Sequence, residues 1–187
     1  MIYFTADTHF GHTNIIKYCK RPFKNISEMD AELIKRWNMS VGPFDHVYHL
    51  GDFCWGKSPE SVNFYLTQLN GIIHFIDGNH DKRFVIDVFK HSRKHRYEGQ
   101  RCELRHLDDF PLIVLEHYPL AIWNKSHYGS WHLFGHQHGT FEHVGALAFD
   151  IGVDCFDYAP ISIFDVQDKM EHIKTVNPNW TKYLPVV

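Results

Sequence analysis

The chain predicts a mixed α/β fold, with two β-sheets packed together and helices outside them. Three observations lead there. In the first half, short apolar β-prone runs alternate with amphipathic helical stretches, as when parallel strands are joined by crossover helices. In the second half strands follow one another without a clear long helix. The 187 residues, 44% hydrophobic and 22% charged, suffice for one sizeable core and little beyond it. Residues 1–187 are therefore read as a single domain.

Residues 2–6 form an apolar run that stops at Asp7, as a buried strand would. Ser27-Glu28-Met29-Asp30 reads as a capping box, and Met29, Leu33, Ile34 and Trp37 behind it share one helical face. A second strand at 46–50 ends at Gly51-Asp52. Ser58-Pro59-Glu60 starts a helix with proline in its first turn. Val62, Tyr65, Leu66 and Leu69 line that helix, and Asn70-Gly71 stops it. A third strand at 72–76 ends before Gly78-Asn79-His80-Asp81. Strands at 101–107 and 112–116 are joined by a turn at Asp108-Asp109. Further strands are predicted at 131–134, 148–153 and 161–166.

A formal charge of −3 makes the whole molecule no electrostatic glue for nucleic acid or anionic membrane. The basic run at 90–96 lacks interleaved aromatics and reads as a solvated loop. Stable nucleic-acid binding is not expected, and no protein partner is evident. No apolar run is long enough to span a bilayer, and the first residues lack the zones of a signal peptide. Cys19, Cys54, Cys102 and Cys155 are scattered without a C-x-x-C pair, which suits a reducing compartment. The expected location is the cytoplasm.

The outlier is histidine, at 16 residues. Metal-capable side chains follow each predicted strand: Asp7 and His9, Asp52, Asn79 and His80, His117, then His136 and His138. In an open α/β sheet the carboxyl ends of strands gather at one crevice, so residues distant in sequence converge there. Asp7-x-His9 and His136-x-His138 would each set two ligands on one side of an extended segment. Gly51, Gly78 and Gly135 permit tight turns beside them. His46, His49, His74, His106, His132, His143 and His172 read as ordinary strand or surface residues.

The ordered blocks D-x-H, G-D, G-N-H-D, a lone H and G-H-x-H resemble the calcineurin-like metallophosphoesterases, over nearly the whole chain. The opening Asp7 to His12, D-T-H-F-G-H, and Arg21-Pro22-Phe23 bring it nearest to the small bacterial and phage phosphoesterases of that family. The resemblance implies a four-layer αββα sandwich. It implies one metal held by Asp7, His9, Asp52 and His138, and a second by Asp52, Asn79, His117 and His136. Asp52 would bridge them, with a hydroxide between the metals as nucleophile. His80 would stabilise the transition state or protonate the leaving group. Oxygen and nitrogen donors without thiolate suit two divalent ions such as Mn²⁺, Fe²⁺ or Zn²⁺.

The protein Ser/Thr phosphatases extend G-D into G-D-x-x-D-R-G, whereas this chain continues Phe53-Cys54-Trp55-Gly56. The phosphate-gripping arginine is absent, and Asp81 or Asp77 is left as a candidate to orient His80. The expected activity is hydrolysis of a phosphodiester, such as a nucleotide or cyclic nucleotide. The alternatives are a phosphomonoesterase for a small metabolite and a non-catalytic metal-binding module on the same scaffold. His12, Arg83, Trp55, Tyr118 and Trp123 are the candidate substrate contacts. His127 could also lie at the mouth of the site.

Overall fold

The apolar runs of the first half become neighbouring strands. In the computed structural model, which describes residues 1–107, 109–142 and 146–176, β1 (Ile2–Thr5), β2 (His46–Leu50) and β3 (Ile72–Ile76) pair in parallel. β4 (Arg96–Gly99) pairs beside β3, and antiparallel β9 (Ile161–Ser162) beside β1, giving the order β4-β3-β2-β1-β9. The second sheet runs β5 (Arg101–Leu104), β6 (Ile113–Glu116), β7 (Trp131–Phe134) and β8 (Ala148–Asp150). Its first pair is antiparallel and the others are parallel. Both sheets are mixed, as expected. Asp108 of the predicted turn and His143 lie outside the described residues.

Side-chain alternation divides the core into layers. Val47, Ile73 and Phe75 face α1 (Thr13–Tyr18), α2 (Ile26–Ser40), α3 (Pro59–Leu66) and α4 (Arg83–His91), which cover them with Ile15, Leu33, Trp37, Val62, Val85 and Phe89. Phe4, Leu50 and Ile76 point the other way and meet Ile113, Leu115 and Leu133 of the second sheet. α5 (Ile163–Val176) adds Ile163, Val166 and Met170 to this inter-sheet layer. On the outer face of the second sheet, Val114, Phe134 and Ala148 lie under Leu120 and Trp123 of the 117–130 connection. Among the described residues, that connection rather than an α-helix covers this face. No helix among the described residues is long and apolar enough to cross a membrane.

Several elements depart from expectation for local reasons. The cap of α2 is Asn25, whose Oδ1 accepts from the Glu28 amide at 2.9 Å while Glu28 accepts from the Lys24 amide. Capping thus begins two residues before Ser27. α3 stops at Leu66, short of Asn70-Gly71, where the Thr67 and Gln68 side chains both bond the Phe64 carbonyl. The strand expected to reach 153 ends at Asp150, whose Oδ1 turns back to accept from the Gly152 amide at 2.8 Å. The strand predicted at 161–166 gives way after Ser162 to α5, whose buried residues at 163, 166 and 170 follow a helical period. The basic run is divided among the end of α4, a turn and the start of β4. His95 within it is buried and accepts from the Ile73 amide at 3.1 Å.

His49 is a core residue with a measurable consequence. It is fully buried beneath Trp37 and Phe53. Thr8 Oγ1 donates to the Phe53 carbonyl and so accepts from His49 Nε2, at 2.9 Å. Burial, and then the neighbouring His117, push the His49 pKa down to about 3 from 6.5. The unfolded chain takes up this proton below pH 6.5 and the native state does not. Stability is therefore complete above about pH 6.5 and is lost as pH falls toward 3, by about 1.4 kcal/mol per pH unit at most. Urea midpoints measured from pH 7 to pH 4 should fall, and His49→Leu should flatten part of that fall. An unchanged slope would remove His49 from the effect.

Candidate metal centre

Five strand ends from two sheets build the site. Asp7 and His9 follow β1, Asp52 follows β2, Asn79 and His80 follow β3, His117 follows β6, and His136 and His138 follow β7. The first two loops are laced together. The amides of Asp7, His9 and Phe10 donate to the carbonyls of Gly51, Asp52 and Phe53, each at 3.0 Å. The second sheet joins through the His136 amide, which donates to Asp7 Oδ2 at 2.9 Å. A Cβ on Gly51 would stand 2.5 Å from Gly78, and one on Gly135 would stand 2.5 Å from Asp7 Oδ2. The loops close only because those side chains are missing.

The D-x-H and H-x-H pairs do not converge by extended alternation. Asp7, His9, Asp52, His136 and His138 have φ between 47° and 69°, the left-handed region that costs a non-glycine residue about 1 kcal/mol or more. Five of the seven candidate ligands share this strained backbone. The surrounding hydrogen bonds must hold it.

Two groups result. Asp7, His9 and His138 bring donor atoms within 4.8 Å of one another, and Asp7, Asp52 and His117 do the same. Asp7 belongs to both groups, and Asp52 Oδ2 lies 3.4 Å from His9 Nε2 of the first and 3.7 Å from His117 Nε2 of the second. The other Asp52 oxygen accepts from the His80 amide at 2.9 Å. Asn79 Oδ1 lies 2.9 Å from both His117 Nε2 and His136 Nδ1.

These contacts test whether a cation fits. His117 Nδ1 lies 2.7 Å from the Leu50 carbonyl, which can only accept, so Nδ1 carries the proton. Burial lowers the pKa of His117, which favours the neutral ring. Its Nε2 lone pair then faces the Asn79 oxygen and the Asp52 carboxylate, an acceptor against acceptors. Asp7 Oδ1 and His9 Nε2 are buried without any hydrogen-bond partner. Such orphans are costly unless something satisfies them, and a divalent cation would satisfy all of them. The residues fit two ions, one beside Asp7, His9 and His138 and one beside Asn79, His117 and His136, with Asp52 between.

Protonation divides the set: burial favours the neutral, lone-pair-bearing rings of His9 and His136, while Asp7 and His138 favour protonated forms whose protons a cation would have to displace. Burial raises the pKa of Asp7, and burial lowers those of His9 and His136. Burial also opposes charge on His138, but hydrogen bonds to Asp154 and Cys19 and the field of Asp7 lift its pKa to about 10. A second layer holds the loops. Asp81 takes the amides of Asp52 at 2.6 Å, Gly78 at 2.8 Å and Phe53 at 3.0 Å. Asp30 takes the Gly11 amide and the Tyr65 hydroxyl. Asp154 lies 2.7 Å from His138 Nδ1 and receives Arg21 through two 2.8 Å bonds. Cys19 also lies near His138 and Asp154. Arg21 occupies both Asp154 oxygens, so this trio is a hydrogen-bonded group and no third cation site. Sequence reasoning missed Asp154, and no local spacing points to it.

Asp81 and Asp77 do not orient His80. Asp81 is committed to backbone amides, and Asp77 accepts from the Tyr97 hydroxyl at 2.9 Å. His80 is exposed at the mouth, its ring 5.8 Å from that of His9 and 5.4 Å from that of Trp55. His12 stacks on Trp55 at 4.2 Å, and Lys82 Nζ lies 5.6 Å from the same ring. Tyr118, 44% exposed, packs against His136 and His117. Trp123 does not reach the site: it is 5% exposed beneath the second sheet, with Nε1 donating to the Ser130 carbonyl. Arg83 is bonded to Asp87 one turn along α4. His127 is exposed in a 3₁₀ turn, its ring tilted against that of Tyr128 at 4.3 Å.

Comparison with known proteins finds relatives that cover most of the chain. No family model matches it. The crystal structure of the protein of unknown function AQ665 from Aquifex aeolicus is similar, with a TM-score of 0.66 and 25% identity over 90% of this chain and 98% of that one. The gene 66 protein of Mycobacterium phage L5 is 23% identical, covering 91% of this chain and 94% of its own. The uncharacterized protein MJ1445 of Methanocaldococcus jannaschii is 35% identical over 186 residues, 94% of this chain and 96% of its own. The chain belongs to the family of MJ1445.

Proposed function

We propose that this protein is a dinuclear-metal phosphoesterase acting on a phosphodiester, and that its sandwich is of the metallophosphoesterase kind. The observation that carries the reading is the meeting of unpaired acceptors around Asp52 beneath an uncommitted His80. Two divalent ions, Mn²⁺, Fe²⁺ or Zn²⁺, would activate water near neutral pH and polarise the phosphoryl group. The chain's own residues do the rest. Asp7, His9, Asp52 and His138 would hold one ion, and Asp52, Asn79, His117 and His136 the other. His80 stands where it can hydrogen-bond a phosphoryl oxygen or hand a proton to the leaving oxygen. The four unpaired cysteines go with a reducing compartment, and we assign the activity to the cytoplasm.

The diester preference rests on charge. Enzymes for a monoester dianion usually supply an arginine fork. Here Arg21 is buried on Asp154 and Arg83 is bonded to Asp87. Trp55 and Tyr118, 39% and 44% exposed, flank the cluster and could hold the second organic arm, with stacking on a base contributing about 1–3 kcal/mol. Bis-nitrophenyl phosphate should therefore show higher kcat/KM than nitrophenyl phosphate, and a cyclic nucleotide higher than its monoester. Preference for the monoester in both pairs would favour the small-metabolite phosphomonoesterase. Metal binding without turnover of any ester would favour a binding module.

A further inference from the structure

We infer that Arg21 and Asp154 are positioning residues for one ion only, the one beside Asp7, His9 and His138. This rests on the two-metal reading above. Arg21 is 4% exposed, and its guanidinium bonds the loop that carries Asp7 and His9 directly and reaches His138 through Asp154. Nη2 donates to the Asp7 carbonyl at 2.7 Å and Nη1 to the Thr8 carbonyl at 3.1 Å. These carbonyls belong to the segment that carries Asp7 and His9, whose left-handed backbone needs outside support. Nε and Nη2 grip the two oxygens of Asp154 at 2.8 Å. Asp154 Oδ2 in turn takes His138 Nδ1–H at 2.7 Å. A carboxylate on one ring nitrogen fixes the tautomer and leaves the other nitrogen as a ligand lone pair.

The other ligand set is anchored differently. His117 is held by the Leu50 carbonyl, while Asn79 and His136 bond each other. Arg21 and Asp154 make no hydrogen bond to any of the three. One buried arginine thus joins β1's loop to the segment that follows β8, and it serves one ion of the pair.

The test uses the full chain with Mn²⁺ alone as probe. Calorimetric titration should find two sites in the unaltered protein, with the electron-spin signal of a coupled pair at saturation. In Asp154→Asn and Arg21→Gln, the site that Asn79→Ala leaves untouched should lose roughly 10–100-fold in affinity. The Asn79-dependent site should move by less than about threefold, within the ordinary scatter of a remote substitution. At limiting Mn²⁺ the spectrum should become that of isolated ions. Asp154→Asn keeps an oxygen for Arg21, so it carries the test where Arg21→Gln loses its fold. Equal weakening at both sites overturns the inference. So does unchanged affinity, or metal-free melting that falls while affinity per folded molecule stays constant. Unaltered protein that binds one ion or none defeats the two-metal reading itself.

Discussion

Asp52→Asn is expected to remove more function than any other single substitution in the chain. Loss of a partner one shell out typically costs a metal site 10–100-fold in affinity. Loss of the carboxylate that stands between both groups should exceed about 100-fold at each ion by the same reasoning. Asparagine keeps an oxygen for the His80 amide, so the loop that Asp52 carries is retained. What disappears is the negative charge lying 3.4 Å from His9 and 3.7 Å from His117. Turnover of bis-nitrophenyl phosphate should fall below detection at modest Mn²⁺, and the stabilisation conferred by Mn²⁺ on melting should shrink with it. If Asp52→Asn still bound two ions with affinities near those of the unaltered protein, Asp52 would not be shared between them.

His80→Ala tests the opposite case, a residue that acts without holding metal. Its ring is exposed beside His9 and Trp55, and its amide rather than its side chain bonds Asp52. Both ions should stay bound while kcat falls by roughly 10²–10⁴-fold. The loss should be smaller for esters of nitrophenol, which leave without a proton, than for those of poor leaving groups. Equal losses for good and poor leaving groups would remove the general-acid role. Loss of an ion would recast His80 as a ligand.

Five of the seven candidate ligands stood out in the sequence because two local signals coincide at them. A β-prone run ends, and a metal-capable side chain follows within three residues, at Asp7, Asp52, Asn79, His117 and His136. How the pairs converge was not legible. Asp7 and His9 lie on a left-handed loop and not on an extended strand, a conformation that the Gly51 and Asp52 carbonyls impose from another segment. The Arg21–Asp154 link was invisible for the same reason: 133 residues separate its ends, and neither has a spacing rule.

The strands that build the inter-sheet core were legible as apolar runs, and Phe4, Leu50 and Ile76 lie on one face of them. The start of α5 reads as strand in the sequence because Ile163 continues the alternating β-branched run from Ile161. Trp123 was ambiguous on residue type alone. Its burial beneath Val114 and Phe134 could be known only once the 117–130 connection was seen to cover the second sheet.

The central claim is that these residues hold two divalent ions side by side. Elemental analysis of the purified chain after saturation with Mn²⁺ and removal of free metal tests it most directly. Two manganese ions per chain are expected. One ion, or none, would contradict it.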